Sequence, residues 1–282
     1  MEFSNDMGLK TDKIEPTERK GKYSNLEAMS VSDLTHAMHE VDKDVLKAVQ
    51  LAKPQIINFI TEMMTRICKE GRLFYIGAGT SGRLGILDAA ECPPTFGVEQ
   101  GQVVGIIAGG ESAIRIAVEG AEDDASQGWK DLQKFNITKN DTLLGIASSG
   151  RTPYVLGAVK EAKKRGILTG CITCNPESEL AQEVDFAIEA ITGPEFVTGS
   201  TRLKAGTATK LILNMVTTIL FIKLGHVKGS QMVDMKLSNE KLIERGTKMV
   251  QASTGLNKIE AKAILLKHRS VRDAILSFKT QK

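Results

Sequence analysis

The sequence predicts an α/β protein: a doubly wound, five-stranded parallel sheet with further helices before and after it. Three observations predict it. Five continuous apolar runs alternate with helical patterns through the middle of the chain, as strands covered on both faces require. Glycine is abundant, 26 residues, and much of it sits at the ends of apolar runs, where an α/β protein brings backbone close to a ligand. A composition of 41% apolar and 25% charged residues over 282 positions fits a folded chain able to bury a large core without staples.

Taken in order, residues 1–25 are polar and aperiodic and read as a mobile or wrapping arm, with no apolar stretch for a signal peptide. Helical spacing begins at Ser32, a candidate cap, with Leu34, Ala37, Met38 and Val41 on one face. A second helix is read over 42–70, bent or divided at Pro54 and closed by Gly71. Strands are expected at 72–76, 103–108, 142–147, 168–174 and 186–191, with helices at 81–90, 112–135, 152–165 and 178–182 between them. From 201 onward the pattern is helical, over 201–224, 238–250, 258–267 and 271–278. The division expected is an arm at 1–25, an α/β domain with its N-terminal helices at 26–225, and a helical region at 226–282.

Several function classes drop out. A net charge of +3 is too small for a nucleic-acid or membrane patch, and the few aromatics form no base-stacking motif. The longest apolar stretch, 215–224, is about half a bilayer span. Cys171 and Cys174 are spaced C-x-x-C, but within a strand they point to opposite faces, so a buried-strand reading replaces a redox or metal site. Cysteine usage suits a reducing, cytoplasmic compartment. The four histidines, His36, His39, His226 and His268, are scattered without a triad or zinc spacing.

Ligands of doubly wound sheets bind beyond the carboxyl ends of the strands. Two strand-to-helix loops stand out there: Gly-Ala-Gly-Thr-Ser-Gly at 77–82 and Ala-Ser-Ser-Gly-Arg-Thr at 147–152. Each places hydroxyls and glycine amides at a helix N-terminus, where free N–H groups attract an anion. Together they predict one phosphate pocket. The first also matches the dinucleotide pattern G-x-G-x-x-G, but no acidic residue ends the second strand, and Glu111 comes too late in the chain for that role.

Candidate acids follow. Glu91 precedes Cys92-Pro-Pro-Thr95, and Ala89-Ala90 before it suggest a packed, partly apolar setting in which a carboxylate can serve as a proton donor, although the residues alone favour a solvated helix-end glutamate. If 111–124 is helical, Ile114, Ala117, Val118 and Ala121 face inward, Glu119 and Asp123 face solvent, and Glu122 and Asp124 fall on opposite borders. Periodicity does not choose between those two. A fourth cluster, 197–207, offers Ser200 or Thr201 as a cap, with Arg202 and Lys204 as cations able to approach a phosphate.

The run Gly-Ala-Gly-Thr-Ser-Gly-Arg-Leu-Gly-Ile-Leu-Asp-Ala-Ala-Glu-Cys-Pro-Pro-Thr at 77–95 resembles the signature of the N-acetylmuramic acid 6-phosphate etherase family. So do Ala-Gly-Gly-Glu at 108–111, Ala-Val-Glu-Gly-Ala-Glu-Asp at 117–123, Ser-Gly-Arg-Thr-Pro-Tyr at 149–154, Thr-Gly-Ser-Thr-Arg-Leu-Lys-Ala-Gly-Thr at 198–207 and Asn-Glu-Lys-Leu at 239–242. The likeness runs in order from about Thr17 to about Ile275, and the Glu-Cys-Pro-Pro-Thr run is its most specific part.

The resemblance implies the sugar-isomerase (SIS) fold, a cytoplasmic homodimer and a place in peptidoglycan recycling. The implied reaction cleaves the D-lactyl ether of a sugar phosphate without metal or organic cofactor. It implies Glu91 as proton donor and Glu122 as second acid/base. Thr80, Ser81, Ser148, Ser149 and Thr152 would hold the phospho-sugar, joined by Ser200 and Lys204. The fold's usual Ser-x-Ser-Gly-x-Thr loop here begins with Ala147, one hydroxyl fewer. The helices over 253–278 resemble the family's small C-terminal unit, which follows a Thr-Gly turn as at 254–255. Two rivals share the phosphate loops: a non-catalytic phospho-sugar-sensing regulator, which would need no carboxylate pair, and an aldose–ketose phosphate isomerase, which would release no lactate.

Overall fold

A computed structural model describes residues 14–280. The first thirteen residues of the expected arm therefore lie outside the described residues. The chain begins with two short 3-10 turns, Pro16–Glu18 and Leu26–Ala28, and enters helix α1 (Val31–Ile67). There follow β1 (Leu73–Gly77), α2 (Gly79–Phe96), β2 (Val103–Ile107), α3 (Glu111–Arg115), α4 (Gln127–Gln133) and β3 (Thr142–Ile146). The remaining α/β elements are α5 (Pro153–Lys164), β4 (Leu168–Thr173), α6 (Glu179–Glu183), β5 (Phe186–Glu189) and α7 (Lys204–Lys223). A small hairpin, β6 (Val227–Lys228) and β7 (Gln231–Met232), precedes α8 (Glu240–Thr254), α9 (Lys258–His268) and α10 (Val271–Thr280).

All five expected strands form, and they pair in parallel in the order β2-β1-β3-β4-β5. The chain moves from β1 outward to β2, then returns to place β3 on the other side of β1. The winding therefore reverses between β1 and β3, the point where such sheets open a crevice. Both hydroxyl-rich loops leave the sheet there, because Gly77 and Ile146 are register partners at the strand ends.

Side-chain alternation divides the strands between two cores. Leu73, Tyr75, Leu144 and Ile172 face α1, α2 and α7, packing on Val49, Phe59, Met63, Ile212 and Phe221. Phe74, Ile76, Leu143 and Cys171 face the other layer, against Leu132 of α4, Val155 and Val159 of α5 and Leu180 of α6. Cys171 and Cys174 are buried and unpaired, and burial pushes both thiols up to about 12, as the strand reading requires. Among the described residues α7 alone is long and apolar enough to cross a membrane, but it is packed between α1 and α2 over the sheet. A third apolar cluster, including Met235, Val250, Leu265 and Ala274, lies under α8, α9 and α10.

Three helical expectations are corrected. The two N-terminal helices are one helix of 37 residues, capped by Ser30, whose hydroxyl accepts from the Asp33 N–H at 3.1 Å. Pro54 does not divide it, since the proline lies on the exposed face, where water can satisfy the carbonyl that loses its donor. The helix expected over 112–135 is two short helices separated by an irregular segment, 116–126. A helix would bond the Ser126 N–H to the Glu122 carbonyl. Instead that N–H goes to Asp124 Oδ1 at 2.8 Å, the Glu122 carbonyl accepts from Tyr154 N at 3.0 Å, and Gly120 is left-handed. Finally, α7 starts at Lys204 rather than at 201.

Candidate active site

Where the winding reverses, the two loops form the walls of a cavity of about 420 Å³, lined by Thr80, Ser81, Ser148, Ser149 and Thr152. All five hydroxyl residues expected to hold a phospho-sugar are thus brought together. The first turn of α2 carries no side-chain cap, so its N-terminal N–H groups remain available to an anion, whereas α5 opens on Pro153, which has no N–H, and its Tyr154 N–H is spent on the Glu122 carbonyl. Gly150, left-handed at φ 68°, makes the second loop possible: a Cβ there would fall 2.2 Å from Ser178 Oγ. The Ser148 carbonyl is held by Cys174 N at 3.0 Å and by Asn175 Nδ2 at 3.2 Å, which fixes the loop to the end of β4.

Segment 116–126 supplies the acid. Glu122 lines this cavity together with Asp123, whereas Asp124 is spent on the Ser126 amide and hydroxyl and on the Gln127 amide. Of the two acids that periodicity left open, Glu122 lines the hydroxyl cavity and Asp124 does not, and the helical face from which both were read does not exist. The segment is pressed onto α5, where a Cβ on Gly157 would lie 1.7 Å from the Ala125 carbonyl. That contact and the Glu122–Tyr154 backbone bond hold the acid beside the second hydroxyl loop.

Three expected site residues lie elsewhere. Lys204 is 2% exposed, and its ammonium donates to the Thr192 carbonyl at 2.8 Å and to Asp44 at 3.1 Å, tying α7 to α1. Ser200 stands outside the cavity lining, where Thr201 takes its place. Neither caps α7. Glu195, wholly buried, accepts from the Lys204 and Ala205 N–H groups at 2.9 Å each, so this helix N-terminus is closed to anions by a carboxylate of the chain itself. Glu91 is exposed on α2, not packed as expected. It lies twelve residues beyond Gly79, about 18 Å along the helix axis from the hydroxyl loop. The buried carboxylate of α2 is Asp88, held by Tyr75 Oη and Asn214 Nδ2 and pushed above its ordinary value by burial.

Sequence reasoning missed two lining residues. Arg151 lies inside the second loop and pairs with Glu15 at 2.9 Å. Glu18 comes from the arm, and no periodicity or motif spacing marked it. A larger groove of about 790 Å³ runs beside the edge strand β2, but its polar groups are chiefly the acids Glu111, Glu119, Asp124 and Asp131, and it carries no hydroxyl loop. Among the described residues no cluster of histidine, cysteine and carboxylate side chains could hold a metal ion.

An all-parallel sheet with paired hydroxyl loops at its switch point is the architecture of SIS domains. A SIS domain profile matches residues 111–219, and the glucokinase regulatory protein N-terminal SIS domain matches residues 55–163. Among solved structures, a ligand-bound protein of E. coli CFT073 superposes with a TM-score of 0.52 at 21% identity, over 72% of this chain and 97% of that one. Phosphoheptose isomerase from Neisseria gonorrhoeae gives 0.50 at 17% identity, over 67% and 97%. These likenesses establish the fold.

Curated relatives narrow the class. The chain is 53% identical over 266 residues to N-acetylmuramic acid 6-phosphate etherase of Christiangramia forsetii, covering 94% of this chain and 97% of the relative. The Bacteroides fragilis etherase is 51% identical over 273 residues, covering 96% and 97%, and etherase 1 of Bacillus licheniformis is 48% identical over 266 residues, covering 94% and 88%. The chain belongs to the N-acetylmuramic acid 6-phosphate etherase family.

Proposed function

We propose that the protein is a lyase that cleaves the D-lactyl ether of N-acetylmuramic acid 6-phosphate, yielding N-acetylglucosamine 6-phosphate and D-lactate. The observation that carries this reading is family membership at 53% identity along nearly the whole chain, joined to a cavity in which an acid faces two hydroxyl-lined helix N-termini. The phosphate is bound by the Thr80–Ser81 and Ser148–Thr152 loops through hydroxyls and free amides. In the ring-opened sugar the aldehyde acidifies the C2 proton, and Glu122 removes it as general base. The C3–O bond then breaks, its electron pair leaving with lactate, and the departing oxygen needs a proton because an alkoxide is a poor leaving group. Glu91 donates it. Water adds at C3 of the unsaturated aldehyde while C2 regains a proton, the acid and base roles reversed.

A homodimer follows from this assignment. Within one chain Glu122 lines the cavity and Glu91 does not, lying about 18 Å along α2 from Gly79. The two-carboxylate reading therefore calls for a second copy of the chain to supply Glu91 to the cavity. Exposed Leu87 on α2 and Leu46, Leu51 and Ile57 on α1 supply apolar surface for that contact. The described cysteines are unpaired and three of them are buried, which supports the cytoplasm, where a phosphorylated product of wall breakdown would be recycled.

The test is D-lactate release from N-acetylmuramic acid 6-phosphate by the wild type, Glu91→Ala and Glu122→Ala, with binding of the sugar phosphate measured alongside. Release by the wild type and a loss of roughly 10²–10⁴-fold in each variant is expected. A wild type that binds the sugar phosphate and releases no lactate would make the protein a phospho-sugar sensor instead.

A further inference from the structure

The N-terminal strap, not only the sheet, builds the substrate cavity. Although residues 16–18 form one short 3-10 turn, Thr17 is wholly buried. Its N–H donates to Asn175 Oδ1 at 3.2 Å, and Asn175 Nδ2 returns a bond to Thr17 Oγ1 at 2.9 Å. The same Nδ2 reaches the Ser148 carbonyl at 3.2 Å and Glu15 at 3.3 Å, while Glu15 pairs with Arg151. Every one of these pins ends on the second hydroxyl loop or on the residue just beyond β4 that holds that loop. The strap is therefore registered to the phosphate loop and not to the remote helices.

That registration sets Glu18. Its carboxylate lies over Gly199, where a Cβ would come 3.1 Å from Oε2, and it lines the same cavity as Thr80, Ser148 and Glu122. The Glu18 side chain forms no hydrogen bond or ion pair among the described residues, although Lys20, Lys22 and Arg19 are close in sequence. An ionised carboxylate only accepts hydrogen bonds. A phosphate dianion has no proton to give it, whereas sugar hydroxyls and the N–H of an acetamido group do.

We propose that Glu18 is a substrate-binding residue, accepting a hydrogen bond from a hydroxyl or amide N–H on the sugar portion of the ligand while the loops hold its phosphate. The strap then distinguishes a sugar phosphate from bare phosphate. This rests on the reading that the cavity takes an amino-sugar phosphate.

Binding of N-acetylglucosamine 6-phosphate and of inorganic phosphate, each by titration calorimetry to the full-length protein, tests it with Glu18→Ala and Glu18→Gln. Loss of a hydrogen bond to a charged group predicts sugar-phosphate affinity about tenfold or more weaker in Glu18→Ala. Glu18→Gln, whose amide oxygen still accepts, should fall between. Inorganic phosphate affinity and the melting temperature should stay at the wild-type values, because the side chain is exposed and holds nothing else in place. Equal or tighter sugar-phosphate binding by Glu18→Ala overturns the proposal, as does an equal loss of inorganic phosphate binding. A wild type that binds the sugar phosphate but releases no lactate defeats the etherase reading alone and leaves the Glu18 comparison intact. A wild type that binds no sugar phosphate defeats both.

Discussion

The strap at the start of the described chain and the helical unit at its end both lie outside the sheet, and they attach by opposite means. The strap has one buried polar residue, Thr17, and is held by hydrogen bonds through Asn175 and by the Glu15–Arg151 pair. Helices α8, α9 and α10 enclose an apolar cluster of their own. They are clasped to the rest by Asp234, which accepts from Arg272 Nε at 2.7 Å and faces His226 Nδ1 at 3.1 Å. The strap spends little apolar area and fixes side-chain positions at a ligand cavity. The helical unit buries apolar surface and contributes none of the residues lining that cavity. Directional bonds specify geometry, while burial supplies most of the free energy.

The sharpest way to break this contrast is Leu265→Ala. Leu265 is wholly buried and packs where a Cβ on Gly246 would already be 2.9 Å away, so truncation should cost about 2–5 kcal/mol. Hydrogen exchange should then quicken across α8, α9 and α10 while the sheet strands stay protected. A single cooperative loss of protection in both regions would show that the helical unit is not separable from the sheet.

Asn175→Ala probes the other side. It removes the partner of Thr17 N, one partner of the Ser148 carbonyl and one of Glu15, at a cost of about 1–3 kcal/mol. The expected signature is functional: amide protection lost over residues 15–18, and KM for the sugar phosphate raised more than kcat is lowered. If stability falls and KM does not move, the strap is merely structural.

A smaller effect comes from Asp88, a polar group buried inside the sheet cover and belonging to neither attachment. Burial raises its carboxyl above 3.8 despite bonds from Asn214, Thr217 and Tyr75 and the field of Lys210. The folded state therefore keeps a proton that the unfolded chain releases, so the stability linked to Asp88 is full below about pH 4 and is lost as pH rises through its folded value. Denaturant midpoints measured upward from pH 4 should decline less steeply in Asp88→Asn than in the wild type. An unchanged slope would remove Asp88 as the titrating group.

Much of the architecture was legible because it depends on short-range signals. Five strands stand on the five continuous apolar runs, and the two hydroxyl loops meet because topology places their strands side by side at the switch point. The helix read over 112–135 failed for a reason periodicity does not carry: the Glu122 carbonyl finds the Tyr154 N–H, thirty-two residues on, in place of its own helical donor. The helical face left Glu122 and Asp124 equivalent, and only this long-range backbone contact sets Glu122 on the cavity lining.

What the sequence by itself determined is the α/β alternation, the hydroxyl loops and the family. Each is written in residue types within a few positions of one another, and local sterics, capping and burial act over that range. Only the tertiary structure decided which polar groups remain available to a ligand. Lys204 is taken by Thr192 and Asp44, the α7 N-terminus by Glu195, and Asp124 by its own turn, while Glu18 is carried to the cavity by a strap bonded 158 residues away. A buried polar group must find a partner wherever the fold provides one. Which candidates are consumed in that search, and which are left facing the substrate, is settled by contacts between segments far apart in the chain.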